Sequence, residues 1–97
     1  MNVLTIDTVV NAPACTMTLA GRLDTESSRQ LADRAMMLDR SVDTLTLDLS
    51  GLEYISSGGL RTLLILKKHF DLSITGVSEE VREILEVTGF IGFLTIK

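Results

Sequence analysis

The sequence is poor in the residues that build disulfides, metal centres and catalytic triads. Its 97 residues include one cysteine, Cys15, and one histidine, His69. A single cysteine cannot form an internal disulfide, and a tetrahedral metal site needs several Cys or His ligands. His69 follows two lysines and has no serine or cysteine near it in a triad-like pattern. We expect no metal, no cofactor, no enzymatic activity, and a location in the reducing cytoplasm.

Long apolar runs and clustered positive charge are also missing. No apolar segment approaches the roughly 20 residues that a transmembrane helix requires, and the amino-terminal segment lacks a basic start. The formal net charge is −4, and the nine lysines and arginines are scattered along the chain. Such a chain offers little attraction to phosphate backbones or anionic lipids. We expect neither direct nucleic-acid binding nor membrane insertion.

The composition that remains is that of a globular domain. Hydrophobic residues make up 45% and charged residues 23% of the chain, with one proline and seven glycines. These values exclude collagen-like, low-complexity and disordered chains, and the length suits one hydrophobic core. We expect residues 1–97 to form a single domain.

Hydrophobic periodicity predicts an alternation of strands and helices. In Thr44–Leu49 three leucines alternate strictly with polar residues, whereas a strand covered on both faces would be apolar throughout. We therefore expect an α/β fold of four to five strands with helices mainly on one face. The other predicted strands are Val3–Val10 and Cys15–Ala20, as an antiparallel pair, then Leu72–Ile74 and Ile91–Ile96. The predicted helices are Thr25–Arg40, one that follows Gly58-Gly59 and ends near Phe70, and one from the cap Ser78 to Gly89.

The segment Ser56-Ser57-Gly58-Gly59, here called the Ser/Gly junction, precedes the second helix. Free backbone N–H groups and the positive end of the helix dipole lie there beside two hydroxyls. One interpretation is a phosphorylation switch, because a phosphate adds about −1.5 to −2 charges and can create or abolish a docking surface. The other is structural, since a serine cap stabilises a helix by about 1 kcal/mol and glycines permit a tight turn. Local chemistry leaves both open.

The outer side of the second helix is a candidate docking face. Successive residues of a helix are rotated by about 100° around its axis. This rotation places on one side, facing the core, Gly59, Leu63, Leu66 and Phe70. The opposite side contains Gly58, Arg61, Ile65 and Lys68, next to Ser57. An apolar residue between two cations, beside the Ser/Gly junction, predicts a surface that binds a protein partner. We assign Asp24, which can cap the first helix, and Asp48, which points away from the leucine face of its strand, as supporting residues of the junction.

Three segments of the chain resemble one known family. They are LAGRLDTESS (Leu19–Ser28), DLSGLEYISSGGLRTLL (Asp48–Leu64) and GVSEEVREILEVTGF (Gly76–Phe90). Together they resemble the STAS domain, the fold of bacterial anti-sigma factor antagonists, over nearly the whole chain. The resemblance implies a small mixed β-sheet flanked by helices and a non-catalytic switch. Such a switch binds an anti-sigma factor that is itself a serine kinase and so frees a sigma factor for transcription, and a serine phosphatase reverses its phosphorylation.

The chain departs from the family's pattern at the expected phosphoacceptor. In the family that residue comes immediately before the glycine that precedes leucine, which in this chain places it at Gly58. Gly58 has no hydroxyl, so Ser57 is the nearest substitute and Ser56 the next. We expect an antagonist-like switch that docks through the Ser/Gly junction and the outer side of the second helix. The alternatives are a STAS scaffold or accessory subunit of a signalling or lipid-transport complex, without phosphorylation, and small-ligand or nucleotide sensing at the helix terminus.

Overall fold

The computed structural model describes residues 3–97, which form a four-stranded sheet, three α-helices and one short 3-10 helix. The strands are β1 (Leu4–Asn11), β2 (Ala14–Leu23), β3 (Thr44–Ile55) and β4 (Asp71–Thr75). The helices are α1 (Ser27–Met36), α2 (Ser57–His69) and α3 (Glu79–Val87), followed by the 3-10 helix η1 (Phe90–Phe93).

The sheet is mixed, and its strands lie in sequence order, β1-β2-β3-β4. β1 pairs antiparallel with β2, while β2 with β3 and β3 with β4 are parallel pairs. Parallel neighbours need a crossover connection, and α1 and α2 provide the two crossovers here. The expected mixed sheet with an antiparallel first pair is confirmed.

The alternation in β3 separates a core face from an outer face. Leu45, Leu47 and Leu49 are fully buried, whereas Thr44 and the other polar residues between them stay partly exposed. All three α-helices contact strands of the sheet, and the buried leucines of α1 and α2 belong to the same core cluster as the leucines of β3. The expectation of helices mainly on one face is confirmed.

β3 is six residues longer than predicted, and β2 ends at Leu23 rather than Ala20. The extension runs through register shifts against β2, the first of them at Thr18/Ala20. The strand continues because Leu52 and Ile55 return to the core after the shift. The extension ends at Ile55, which sets the starting point of α2.

Two predicted elements were wrong in extent or in type. α1 is shorter than Thr25–Arg40, because the chain leaves the helix at Met37 and turns at Asp39, whose carboxylate accepts a hydrogen bond from the Ser41 N–H. The first half of the predicted strand Ile91–Ile96 lies in the 3-10 helix η1, and of its six residues Ile96 alone forms a bridge, to Ile74. A short apolar run does not distinguish a strand from a helical turn by periodicity.

Candidate functional site

Ser56 caps α2 in the way the structural interpretation predicted. Its backbone is extended, and its Oγ accepts a hydrogen bond from the Gly59 N–H at 3.2 Å. Its carbonyl accepts the first intrahelical bond, from the Leu60 N–H at 2.9 Å. The Ser56 N–H donates to the Leu23 carbonyl at 2.9 Å, which ties the start of α2 to the end of β2. The Ser56 hydroxyl is therefore engaged in the helix cap.

The two glycines of the junction lie against neighbouring segments. A Cβ on Gly59 would lie 2.7 Å from the Leu23 carbonyl oxygen and 2.9 Å from Cγ1 of Ile55. A Cβ on Gly58 would lie 2.6 Å from Oγ1 of Thr25 and 3.0 Å from its Cα. The approach to a backbone oxygen makes glycine the fitting residue at position 59, whereas at position 58 the closest atom is the side-chain hydroxyl of Thr25, so α2 packs tightly on the chain before α1.

Thr25 is the junction residue that sequence reasoning missed. The sequence predicted it only as the first residue of the first helix, and no periodicity or motif placed it beside Gly58. It lies in the turn between β2 and α1 and is exposed. The structure brings this turn and the start of α2 together although they are far apart in the sequence.

Asp24 supports the junction by holding that turn. Its Oδ1 accepts a hydrogen bond from the Ser27 N–H at 2.8 Å, and the Asp24 N–H donates to Ser27 Oγ at 2.9 Å. The Ser28 N–H also donates to the Asp24 carbonyl, at 2.9 Å. The hydrogen bonds from Ser27, chiefly from its backbone N–H, lower the pKa of Asp24. Asp24 thus positions the turn that carries Thr25.

Asp48 was also assigned to the junction, but the structure places it elsewhere. It pairs with Thr18, whereas Ile55, next to the junction, pairs with Leu23. Those two partners are five positions apart in β2, which is about 16 Å of strand. The Asp48 carboxylate accepts a hydrogen bond from the Ser50 N–H at 3.0 Å. The assignment failed because the alternation of residues in a strand identifies the face on which a side chain lies. It does not identify the distance between that residue and the end of the strand.

The outer side of α2 is open to solvent. Ser57, Arg61, Ile65 and Lys68 are exposed, and 40% of the Ile65 surface is accessible. Gly58 is half-buried, whereas Gly59 is buried. Gly59 therefore contributes to the candidate site by letting α2 approach the sheet rather than as accessible surface.

The charged side chains of α2 are all basic. The helix contains no acidic residue, and its last turn contains Lys67, Lys68 and His69. Near its start, on the adjoining strand ends, the Arg22 guanidinium lies 4.4 Å above the centre of the Tyr54 ring. We call the exposed set Ser57, Arg61, Ile65 and Lys68 the α2 face. It combines positive charge with one apolar side chain.

Neither a metal site nor a bilayer-spanning helix is found in the described part of the chain. No three His, Cys, Asp or Glu side chains between residues 3 and 97 come close enough together to hold a metal ion. Within the same range, no helix is long and apolar enough to cross a bilayer.

A family model described as "Mlab, STAS domain" matches residues 7–95. The chain belongs to the STAS domain family. One relative of this STAS domain is BtrV of Bordetella bronchiseptica, provisionally named an anti-sigma factor antagonist. It is 32% identical over 84 residues, which are 80% of this chain and 72% of BtrV. The family predicted from the three sequence segments is therefore confirmed.

Solved structures show the same fold at low sequence identity. The Bacillus anti-sigma factor antagonist SpoIIAA superposes in its unphosphorylated form with a TM-score of 0.79 at 16% identity, over 96% of this STAS domain and 88% of that chain. Its phosphorylated form superposes with a TM-score of 0.71 at 15% identity, over 96% of this STAS domain and 91% of that chain. A sulfate transporter family protein from Wolinella succinogenes superposes with a TM-score of 0.72 at 20% identity, over 89% of this STAS domain and 75% of that chain. The fold is that of anti-sigma factor antagonists, and it also occurs in a transporter family.

Proposed function

We propose that this STAS domain is a protein-binding module of the anti-sigma factor antagonist type, without catalytic activity of its own. It acts in the cytoplasm, binds an anti-sigma factor, and so regulates sigma-factor-dependent transcription. The observation that carries the proposal is the exposed α2 face beside the Ser/Gly junction, on a fold shared with SpoIIAA.

The chemistry of the α2 face favours a protein partner. Ile65 lies one turn from Arg61 and one turn from Lys68, so two cations flank one exposed apolar side chain. Protein interfaces commonly have apolar side chains at their core and polar groups at a solvent-accessible rim. A complementary partner presents an apolar pocket with carboxylates at its edge, and these carboxylates also guide the approach of the two proteins.

The partner in this proposal is an anti-sigma factor that is a serine kinase, with a serine phosphatase as the opposing enzyme. A phosphate in the Ser/Gly junction adds negative charge next to Arg61 and competes with the carboxylates of the partner. Of the two candidate serines, Ser56 is engaged in the cap of α2, whereas Ser57 is exposed. Ser57 is therefore the better placed of the two.

The test is binding of the purified domain to the kinase-type anti-sigma factors encoded in the same genome, measured by calorimetry. We expect a complex with at least one of them. We also expect Ile65→Asp and Arg61→Glu each to weaken it by at least about tenfold. Val87→Asp is the matched control, because Val87 on α3 is 82% exposed and lies outside the α2 face. Equal binding by wild type and Ile65→Asp, with both folded by circular dichroism, would contradict the proposed docking face.

The closed position at Gly58 favours a second candidate function. A chain without a hydroxyl at that position suits a STAS scaffold or accessory subunit of a signalling or lipid-transport complex. The occurrence of the fold in a transporter family is consistent with this candidate. A complex with transporter components that forms without ATP, and in which the mass of the domain stays unchanged, would favour the scaffold over the switch.

A further inference from the structure

β1 lies at the edge of the sheet, and part of that edge is open. Within residues 3–97, β2 is the one strand that pairs with β1. In the first part of β1, Leu4 and Ile6 are buried, and the Leu4 carbonyl accepts a hydrogen bond from Gln30 Nε2 of α1 at 3.5 Å. Residues 7–11, here called the open half, are all exposed. An open strand edge is a template for pairing with another strand.

The opposite edge of the sheet is covered. The N–H of Ile74 in β4 donates to the Thr95 carbonyl at 2.8 Å, and the Ile74 carbonyl accepts from the Lys97 N–H at 2.8 Å. The segment after η1 therefore lies along β4. β1 also lacks the features that commonly protect an edge, since it contains no proline, lysine or arginine and its register against β2 has no shift. The two edges of the sheet thus differ in their capacity to pair.

The hydrogen bonds of β1 show which of its backbone groups point away from β2. The Arg22 N–H donates to the Val3 carbonyl at 2.7 Å, so Val3 and every second residue after it bond to β2. The residues between them direct their N–H and C=O groups outward. In the open half these residues are Thr8 and Val10, and no hydrogen bond to their outward groups is found within residues 3–97.

A second copy of the strand can satisfy these groups in one register. With a two-fold axis at Val9, residues 7–11 of one copy run antiparallel to residues 7–11 of the other. Thr8 of each copy then lies opposite Val10 of the other, and each such pair exchanges two N–H···O bonds. A shift of the axis towards the start of β1 requires pairing at the buried Ile6, and a shift to Val10 pairs Thr8 with the turn after the strand.

The side chains of the open half suit the same register. Val9, which is 67% exposed, lies opposite its own copy at the axis. The two form a non-hydrogen-bonded pair, whose Cβ atoms lie about 4.5–5.5 Å apart. Asp7 lies opposite Asn11, whose amide N–H groups can donate to the carboxylate. The register therefore places apolar against apolar side chains and a donor against each acceptor, with no like charges opposite each other.

We propose that the open half of β1 pairs with the open half of a second copy of this STAS domain and joins the two sheets into one. The interface is small and consists mainly of backbone, so the dimer exchanges with monomer. The α2 face stays outside the interface, because α2 connects β3 and β4 and β1 lies at the far edge of the sheet. The pairing is therefore independent of the partner that the α2 face binds.

Sedimentation velocity over a concentration series tests the pairing. Between about 10 µM and about 1 mM, we expect wild type to shift from the monomer mass of 10.6 kDa towards twice that mass. Asn11→Lys places a cation opposite each Asp7 and should tighten the dimer by about threefold or more. Asn11→Asp places like charges opposite each other and should weaken it by about threefold or more.

The matched controls for net charge are Val87→Lys and Val87→Asp, on the exposed side of α3. They change the net charge as the two Asn11 variants do, and they should alter the association much less. Equal effects at the two positions would overturn the proposed pairing. A wild type that stays monomeric up to about 1 mM would also overturn it, and would leave the open half to an extended segment of another protein.

Disulfide cross-linking tests the register. Val9→Cys brings two thiols together at the axis, whereas Thr5→Cys, on the same exposed side of β1, lies about 26 Å from its copy. With diamide as the oxidant, we expect Val9→Cys to form a covalent dimer at least about tenfold faster than Thr5→Cys, as measured by intact-mass spectrometry. Cys15 is buried in both variants, and circular dichroism verifies that both are folded. Equal rates, or a faster reaction of Thr5→Cys, would overturn the register about Val9.

Discussion

At the scale of single residues, four neighbours in the Ser/Gly junction have four different roles. Ser56 caps the helix, Ser57 faces solvent, Gly58 lies under Thr25, and Gly59 lies against the end of β2. Their environments differ because each step along a helix turns the side chain by about 100°. A motif of small and hydroxyl residues is therefore a set of separate requirements, which single substitutions can distinguish.

Gly59→Ala should destabilise the domain by about 1–3 kcal/mol, because its Cβ would collide with the Leu23 carbonyl and Ile55 in a well-packed region. Gly92→Ala is the matched control, since nothing lies within 4 Å of a Cβ at that position. The control should stay within about 0.5 kcal/mol of wild type. Free energies of unfolding from urea titrations measure both, and equal stabilities for the two variants would refute the close approach at Gly59.

At the scale of elements, each helix begins with a different solution for its free N–H groups. Ser56 caps α2, and Ser78 caps α3, where its Oγ accepts from the Val81 N–H at 3.3 Å. α1 has no side-chain cap at Glu26 and relies on the turn that Asp24 and Ser27 form one step earlier. The start of α1 therefore depends on the carboxylate of Asp24.

Replacing Asp24 by asparagine should remove a pH-dependent part of the stability. The pKa of Asp24 is lowered in the folded protein, so its contribution is fully present above the pKa of the unfolded chain, about 4. It is lost as the pH falls through the lower folded value. Wild type should be more stable than Asp24→Asn at pH 7, and the difference should shrink below about pH 4.

Thermal unfolding across a pH series measures this difference. Asparagine also accepts hydrogen bonds and caps helices, which makes Asp24→Asn a test of charge rather than of shape. A difference in melting temperature that stays constant from pH 7 down to the acid limit would contradict the role of the ionised carboxylate.

At the scale of the whole molecule, the core is one cluster of aliphatic side chains between the sheet and the helices. β3 pairs with both β2 and β4, and its leucines lie at the centre of that cluster. Cys15 lies on β2 within the same cluster and is 2% exposed. Access to this thiol therefore requires the opening of the sheet rather than the movement of one loop.

Cys15 should react slowly with iodoacetamide in the native protein. Burial raises the pKa of the Cys15 thiol, which reduces the reactive thiolate, and the core excludes the reagent. If only global unfolding exposes it, the native rate should be at least about a thousandfold below the rate in denaturant. Intact-mass spectrometry over time gives both rates. Labelling of the native protein at a rate similar to that in denaturant would show that β2 opens locally.

The site was predicted only in part from the sequence. The projection of α2 identified an outer side with Arg61, Ile65 and Lys68, and these residues are exposed. Helical periodicity is local, so it reports reliably which side of a helix faces solvent. The assignment of Asp48 failed and Thr25 was missed, because the distance between residues on different elements depends on strand register and on how the elements pack.

By itself the sequence determined the strand and helix types of most elements, the cap Ser78, and the family, since these depend on patterns within a few turns or on short motifs. Only the tertiary structure decided that β3 continues past its register shift, that the segment after Gly89 becomes a 3-10 helix, and that Thr25 fills the space beside Gly58. Contacts between distant segments follow from how the whole core packs, and no local pattern of residues encodes them.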